Sequence, residues 1–336
     1  MHSSFNQAPL RITALLVGLV CALPGCPNRS PVQPKSTAHT SEQRTPEENG
    51  SSPANLTGGS PNAEPAESPS ADTGEAEGPT IEERVRKLLR DGRHRPDCND
   101  LTGCPLVTNL LTLGPDAVPI IQSIYRESRG DGFWRQKLLE TLGRIEHPAS
   151  PEFLLDVVLN DTQELSRIFA ALALARLHPA SKRSALEEWA KTADPELELP
   201  VLLAVGTALG AMQSPAGREI LEKYLVVPQE ETLRWDRFRP GIYGAGLLRL
   251  VNLRERVEEF SQRADPFVRR ECAKTLGAMR ERAGIPTLIT LLRDDVPGVR
   301  AQALRSLRAL TGFQHKETAD QWQRWWASTQ ASEPPQ

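Results

Sequence analysis

The side chains that could do chemistry in this chain fall in three places. Cys98 and Cys104 bracket a turn-rich hexad, with Asp97, Asn99 and Asp100 crowded beside them. Outside a reducing compartment, two thiols this close are placed to form a short-loop disulfide. The competing chemistry is a metal site built from the thiols and the polar trio. Zinc asks for a second CxxC or a pair of His, which the sequence lacks, and Asp97, Asn99 and Asp100 do not have the spacing of a calcium loop. His147 and His178 each open a His-Pro-Ala-Ser tetrad. With no second ligand at helical spacing they read as turn residues, capping the carbonyls of the preceding helix where Pro stops it. The third place is the run Gln229 to Gly241, which holds Arg234, Trp235, Arg237, Phe238 and Arg239. Arg and Trp combine large contact area with directional donors, so these five residues are a candidate partner-binding cluster. The alternative is that Trp235 and Phe238 fill a junction between helices while the arginines snorkel or pair with Glu230 and Glu231.

Other chemistries find little footing. The chain has 336 residues, a formal net charge of −3 and aromatics at only 5%, so it lacks the basic excess a nucleic-acid binder needs. No phosphate loop, dinucleotide fingerprint or HExxH metal motif occurs. Catalysis needs an activated nucleophile or a poised acid–base pair, and the serines lie in the tail or in turns. No catalytic residue, metal ligand or cofactor is therefore assigned. Cys272 sits on an apolar stripe and reads as a buried core thiol.

The elements that must position these residues are helices. From Asp265 to Thr311 the sequence repeats itself: Asp265-Pro266, then Val268, Cys272, Leu276 and Met279 at helical spacing, a Gly284-Ile285-Pro286 turn, and a second apolar helix from Leu288 to Leu292. Asp294, Asp295, Val296 and Pro297 restart the cycle, with Val299, Ala303, Leu307 and Leu310 on the same stripe. A Leu-centred motif closing each first helix recurs at Leu142, Leu174, Leu209, Leu248, Leu276 and Leu307, at spacings of 32, 35, 39, 28 and 31. A unit of two short antiparallel helices cannot bury its apolar faces alone and must stack on copies of itself. The longest spacing, 39, contains the Arg/Trp run, and insertions in such stacks go to loops. Ahead of the phased units, a helix is expected over Glu82 to Asp91, then one earlier unit from Pro105 to Ser128, with its first helix over Leu106 to Leu113 and its second opened by Gly114 to Pro119. Trp322, Trp325 and Trp326 share one face of an expected helix from Thr318 to Ser328, suited to covering the end of the stack. An aromatic platform for a sugar or peptide is the other use of such a stripe.

Asp-Pro-x-Val-Arg followed by A-x-x-L-G-x-M and a Pro-opened second helix resembles the HEAT-like repeat family. Asp265, Val268, Arg269, Ala273, Leu276, Gly277 and Met279 match its pattern, as do Asp295, Val299, Arg300, Ala303, Leu307 and Leu310, while Arg308 stands where a small residue is usual. The resemblance implies an all-α fold, a right-handed α-solenoid of about seven hairpins over residues 81–327. It also implies a ladder in which Arg269 and Arg300 pair with Asp265, Asp294 or Asp295. Related solenoids include pigment-attaching lyases and alkyl-base glycosylases. Nothing here argues for a photosynthetic context, and the second activity needs a basic concavity.

Residues 1–26 read as an export signal with an apolar run, Ile12 to Leu23, too short to span a bilayer. Its end, Leu23-Pro24-Gly25-Cys26, resembles a bacterial lipoprotein signal, with Cys26 as the lipidated residue and Pro24 as a departure from the pattern. Residues 27–80 are rich in Pro, Ser, Thr, Gly and Glu. They cannot bury enough apolar surface to order themselves, and such a linker has an r.m.s. span of roughly 40 Å. The expected organisation is signal, disordered linker, repeat domain with a Trp-rich capping helix, and a short tail over 328–336. The expected function is a non-catalytic protein–protein interaction scaffold, exported and anchored in the cell envelope, with a protein or peptide partner. The alternatives are an assembly subunit of an envelope complex, an enzyme accessory, or a lyase-like enzyme.

Overall fold

The computed structural model describes residues 78–93, 104–228, 234–263, 265–314 and 317–332. The signal segment with Cys26, nearly all of the linker, Cys98 and residues 229–233 lie outside these. Among the described residues the secondary structure is fifteen α-helices with short 3-10 turns between them. A leading helix, α1 (Ile81–Gly92), is started by a capping box in which Thr80 and Glu83 satisfy each other's backbone N–H. Seven pairs then follow, the number the repeat pattern predicts. These are α2 (Pro105–Leu111) with α3 (Val118–Glu127), α4 (Gly132–Leu142) with α5 (Ser150–Asn160), and α6 (Glu164–Leu177) with α7 (Arg183–Thr192). Next come α8 (Pro195–Ala211) with α9 (Pro215–Tyr224) and α10 (Arg239–Leu247) with α11 (Arg254–Arg263). The last are α12 (Pro266–Met279) with α13 (Ile285–Leu291) and α14 (Pro297–Thr311) with α15 (Ala319–Ser332).

Proline sits in the first turn of nine of these helices, where its missing N–H costs nothing and its fixed φ suits the helix. This explains why α13 begins at Ile285 rather than at the expected Leu288: Pro286 is inside the first turn, not ahead of it. The tetrads behave differently from one another. His178 takes a left-handed backbone (φ 37°) and its own N–H caps α6 on the Leu174 carbonyl. His147 instead accepts the Ala149 N–H on Nδ1, at 3.2 Å, so its ring closes the turn and does not cap α4.

The even-numbered helices pack one on the next from α2 to α14, and the odd ones lie against their flanks. Small residues set that spacing. A Cβ on Gly143 of α4 would lie 2.7 Å from the Ala173 Cα of α6, and one on Gly277 of α12 would lie 2.7 Å from the Ser306 Cβ of α14. The odd helices touch one another much less, except at the two ends, where α1 meets α3 and α13 meets α15. A layer with the shorter spacing lies inside the curve of a two-layer stack, so the even helices line the concave side. The repeats form an α-solenoid.

Helix α8 is apolar all round, and every residue from Pro200 to Leu209 is buried. Such a helix must be covered on all sides, and the two clusters of buried side chains meet on it. Before Pro200 it kinks at Glu198 (φ −110°, ψ 17°), as Pro restricts the residues ahead of it and withholds an N–H. At the C-terminal end Trp322 is wholly buried, with Trp325 edge-on at 5.5 Å and Phe313 beside both, and α15 covers α13. The helix runs on to Ser332, beyond the expected end at Ser328. Ser328 and Thr329 donate their hydroxyls to the Trp325 carbonyl at 2.8 and 2.9 Å and stay within the helix.

Candidate functional site

Helix α6 carries Leu165, Phe169, Leu172 and Arg176 at steps of four, three and four, one stripe along its solvent side. The opposite side of the same helix, Ala170, Ala171 and Leu174, is buried in the core. The stripe forms the floor of a groove of about 430 Å³ whose lining comes from α4, α6, α8, α10 and α12. Pro200 and Pro240 extend the apolar floor, while charged side chains make its walls. Several of these are paired internally: Lys137 with Glu140 at 3.3 Å, Lys274 with Glu271 at 3.3 Å and Arg234 with Asp236 at 2.8 Å. Lys274 also stands 5.1 Å over the ring of Tyr243, where an ammonium is attracted to the π face.

The structure divides the Arg/Trp cluster that the sequence singles out. Phe238 is buried and meets Phe260 of α11 at 5.2 Å, and Trp235 stands edge-on to the same ring at 6.1 Å. Both rings therefore fill the junction between repeats. The three arginines line the groove. Arg237 Nη2 donates to the Glu196 carbonyl at 2.8 Å, tying the 3-10 turn Trp235–Phe238 to the start of α8. Arg239 has a buried Nε that no described group accepts from.

The ladder residues come together at one turn. Arg269 grips Asp294 with Nε and Nη2 at 2.7 and 2.9 Å and reaches Asp295 at 2.8 Å. Arg300 donates to the Asp294 and Asp295 carbonyls at 2.8 and 2.9 Å. Asp265 caps α12 through the N–H groups of Phe267 and Val268. Burial pushes the Asp294 carboxyl up, but hydrogen bonds from Arg269 and the Val296 N–H outweigh it and hold it below its ordinary range.

Two further rungs were not read from the sequence. Arg135 pairs with Asp161 and donates to the Tyr125 hydroxyl at 2.6 Å, and Arg167 meets Glu198 at 2.6 Å. Each stands four residues after its helix's N-cap, as Arg269 and Arg300 do, and that offset is the signal that could have found them. Burial raises the Tyr125 phenol to about 12. Cys104 is buried at the N-cap of α2 and disulfide-bonded, while Cys98 lies outside the described residues. Cys272 is a buried free thiol, pushed well above its ordinary value by burial. Among the described residues no three His, Cys, Asp or Glu side chains group as a metal site requires.

Fold and groove together define a class: an α-solenoid with a lined concave face. Residues 253–327, from the last 3-10 turn before α11 into α15, match the family described as HEAT repeats. Among solved structures, human deoxyhypusine hydroxylase in complex with glycerol is similar at 18% identity and a TM-score of 0.36, covering 69% of this chain and 98% of that one. No curated protein sequence matches the chain.

Proposed function

We propose that the protein is a non-catalytic scaffold whose even-helix groove holds a protein or peptide partner, and that its N-terminal segment tethers it at the cell envelope. The observation that carries the first part is the uncovered stripe Leu165, Phe169 and Leu172 between charged walls. An apolar floor supplies affinity, and walls of both signs supply orientation. A HEAT-repeat solenoid offers that surface preformed, so little ordering entropy opposes binding. The tether rests on the sequence alone, on Cys26 behind its apolar run and on the linker that follows.

Photo-cross-linking of the full chain in its host tests the groove. A cross-linking residue at Phe169 or Tyr243 is expected to capture one common partner, and the same residue at Val251, exposed outside the groove, is expected not to. Equal capture from all three positions, or none from the groove, overturns the reading. Cys26→Ser is expected to move the protein from the membrane to the soluble fraction, and retention at the membrane would remove the lipid tether.

A further inference from the structure

Among the described residues six cationic side chains line the groove against four carboxylates, although the chain as a whole is net acidic at −3. Glu140 and Asp236 are each bonded to a neighbouring cation, Glu271 stands 3.3 Å from Lys274 with its Oε1 making no hydrogen bond, and Glu164 faces Arg234. Arg176, Arg237 and Arg239 are left without a carboxylate partner among the described residues. Arg237 spends one donor on a backbone carbonyl, and Arg239 has the buried, unsatisfied Nε. A guanidinium without a carboxylate partner keeps donors that an incoming carboxylate can pair with.

These cations flank the apolar floor. Arg176 closes the C-terminal end of the Leu165–Phe169–Leu172 stripe on α6, while Arg237 and Arg239 stand at the start of α10. All even helices run the same way, so the start of α10 and the end of α6 lie at opposite margins of the groove. From Leu165 to Arg176 the stripe is about 16 Å long at 1.5 Å per residue, the span of about five residues of extended chain. Resting on the scaffold reading above, we propose that the groove takes an extended peptide segment in which a bulky apolar side chain is flanked on both sides by acidic residues. The apolar side chain lies on Phe169 and Leu172, one carboxylate meets Arg176, and the other meets Arg237 and Arg239.

The test is fluorescence anisotropy with the full chain and three labelled peptides: Glu-Gly-Leu-Gly-Glu, its counterpart with Lys in place of Glu, and an all-Glu pentamer. The acidic–apolar peptide should bind at least about tenfold tighter than either other, and its binding should weaken with salt. Arg176→Ala and Arg239→Ala should each weaken it about tenfold, as loss of a charge-assisted hydrogen bond does, whereas Arg305→Ala, on an exposed site of α14, should not. Arg176 is exposed, so its variant separates lost contact from lost folding, which an unchanged thermal midpoint confirms. Equal binding of the all-Glu pentamer would make the groove a simple anion exchanger and overturn the proposal, as would tighter binding of the Lys peptide or indifference to both arginine variants. If the groove cross-links a partner whose contacting segment is basic or folded, the acidic-peptide proposal falls and the scaffold stands. If neither cross-link nor peptide binds, both fall.

Discussion

Gly217→Ala should be among the most damaging single-methyl changes in the protein, although Ala is the better helix former. Gly217 is near the start of α9, where that helix crosses α8. A Cβ there would lie 2.6 Å from the Gly206 carbonyl oxygen and 2.7 Å from the Gly210 Cα, with the Gly210 N closer still. All three are backbone atoms of a helix buried on every side, so no side-chain rotation relieves the clash. Ordinary carbon contacts are about 3.5–4.0 Å, so the helices must part by roughly an ångström. Overpacking of this kind costs about 1–3 kcal/mol or more, and the rigid backbone on the far side puts this case at the top of that range. The propensity gain returns only about 1 kcal/mol. A net loss of about 2 kcal/mol lowers the thermal midpoint by roughly 4–8 °C for a folded unit of this size. Circular dichroism melts of the full chain measure it, with Gly298→Ala as control, since a Cβ there meets nothing within 4 Å. The control should melt no lower than the parent. A Gly217→Ala variant as stable as the parent would refute the close crossing of α8 and α9.

Three further outcomes follow from the same contacts. Arg269→Ala strands Asp294, whose side chain is 6% exposed, and should cost about 3–5 kcal/mol in a denaturant titration; breaking the exposed Arg234–Asp236 pair by Arg234→Ala should leave the titration midpoint unchanged. Asp294 has a folded-state pKa below its unfolded one, so its contribution is present above pH ~4 and is lost as the pH falls through the folded value. Arg269→Ala should therefore flatten the acid limb of the stability curve, and an unchanged limb would contradict the pairing. Tyr125, pushed up to about 12 by burial, should show its ionisation in ultraviolet absorbance only near that pH, read as the signal lost in Tyr125→Phe. Its stabilisation is intact below its unfolded value near 10 and disappears as the pH rises toward 12, so titration of Tyr125 near 10 would contradict its burial. Trp322→Ala, in a side chain with no exposure, should cost about 3–5 kcal/mol and loosen α15 first, seen as early hydrogen exchange there; a loss below about 1 kcal/mol would remove its role as the end cover.

Which parts of this were legible in the sequence follows from where each piece of information resides. The Leu-centred motif marks the even helices because burial of one face repeats with the hairpins, at Leu142, Leu174, Leu209, Leu276 and Leu307, while its sixth leucine, Leu248 at the end of α10, is only half-buried. The Trp stripe gives the end cover for the same reason. The groove could not be read this way. Phe169, Leu172 and Tyr243 occupy solvent-facing positions of their helices and belong to no repeat motif. They converge only because Gly and Ala pull the even helices together and curve the stack toward them. Orientation within the insertion was equally hidden, since Trp235 and Phe238 turn inward to a ring, Phe260, that comes from the following helix.

The site arises where the repeat departs from its own rule. Four residues after the N-cap, α4, α6, α12 and α14 carry Arg135, Arg167, Arg269 and Arg300; the first three reach the entry of the next even helix, and Arg300 holds carbonyls of the turn into its own. At the same offset α8 carries Glu198, the acceptor for Arg167, and α10 carries the buried Ile242. Neither can extend the ladder. Across that gap the brace comes from the insertion, through Arg237 on the Glu196 carbonyl, and the backbone around it holds Arg234 and Arg239 over the groove. The insertion therefore substitutes for a missing rung and, by the same geometry, places guanidinium groups beside an uncovered apolar floor. Arg237→Ala should on this account do two separable things: loosen the junction between α8 and α10, and weaken acidic ligands. Arg239→Ala should do only the second.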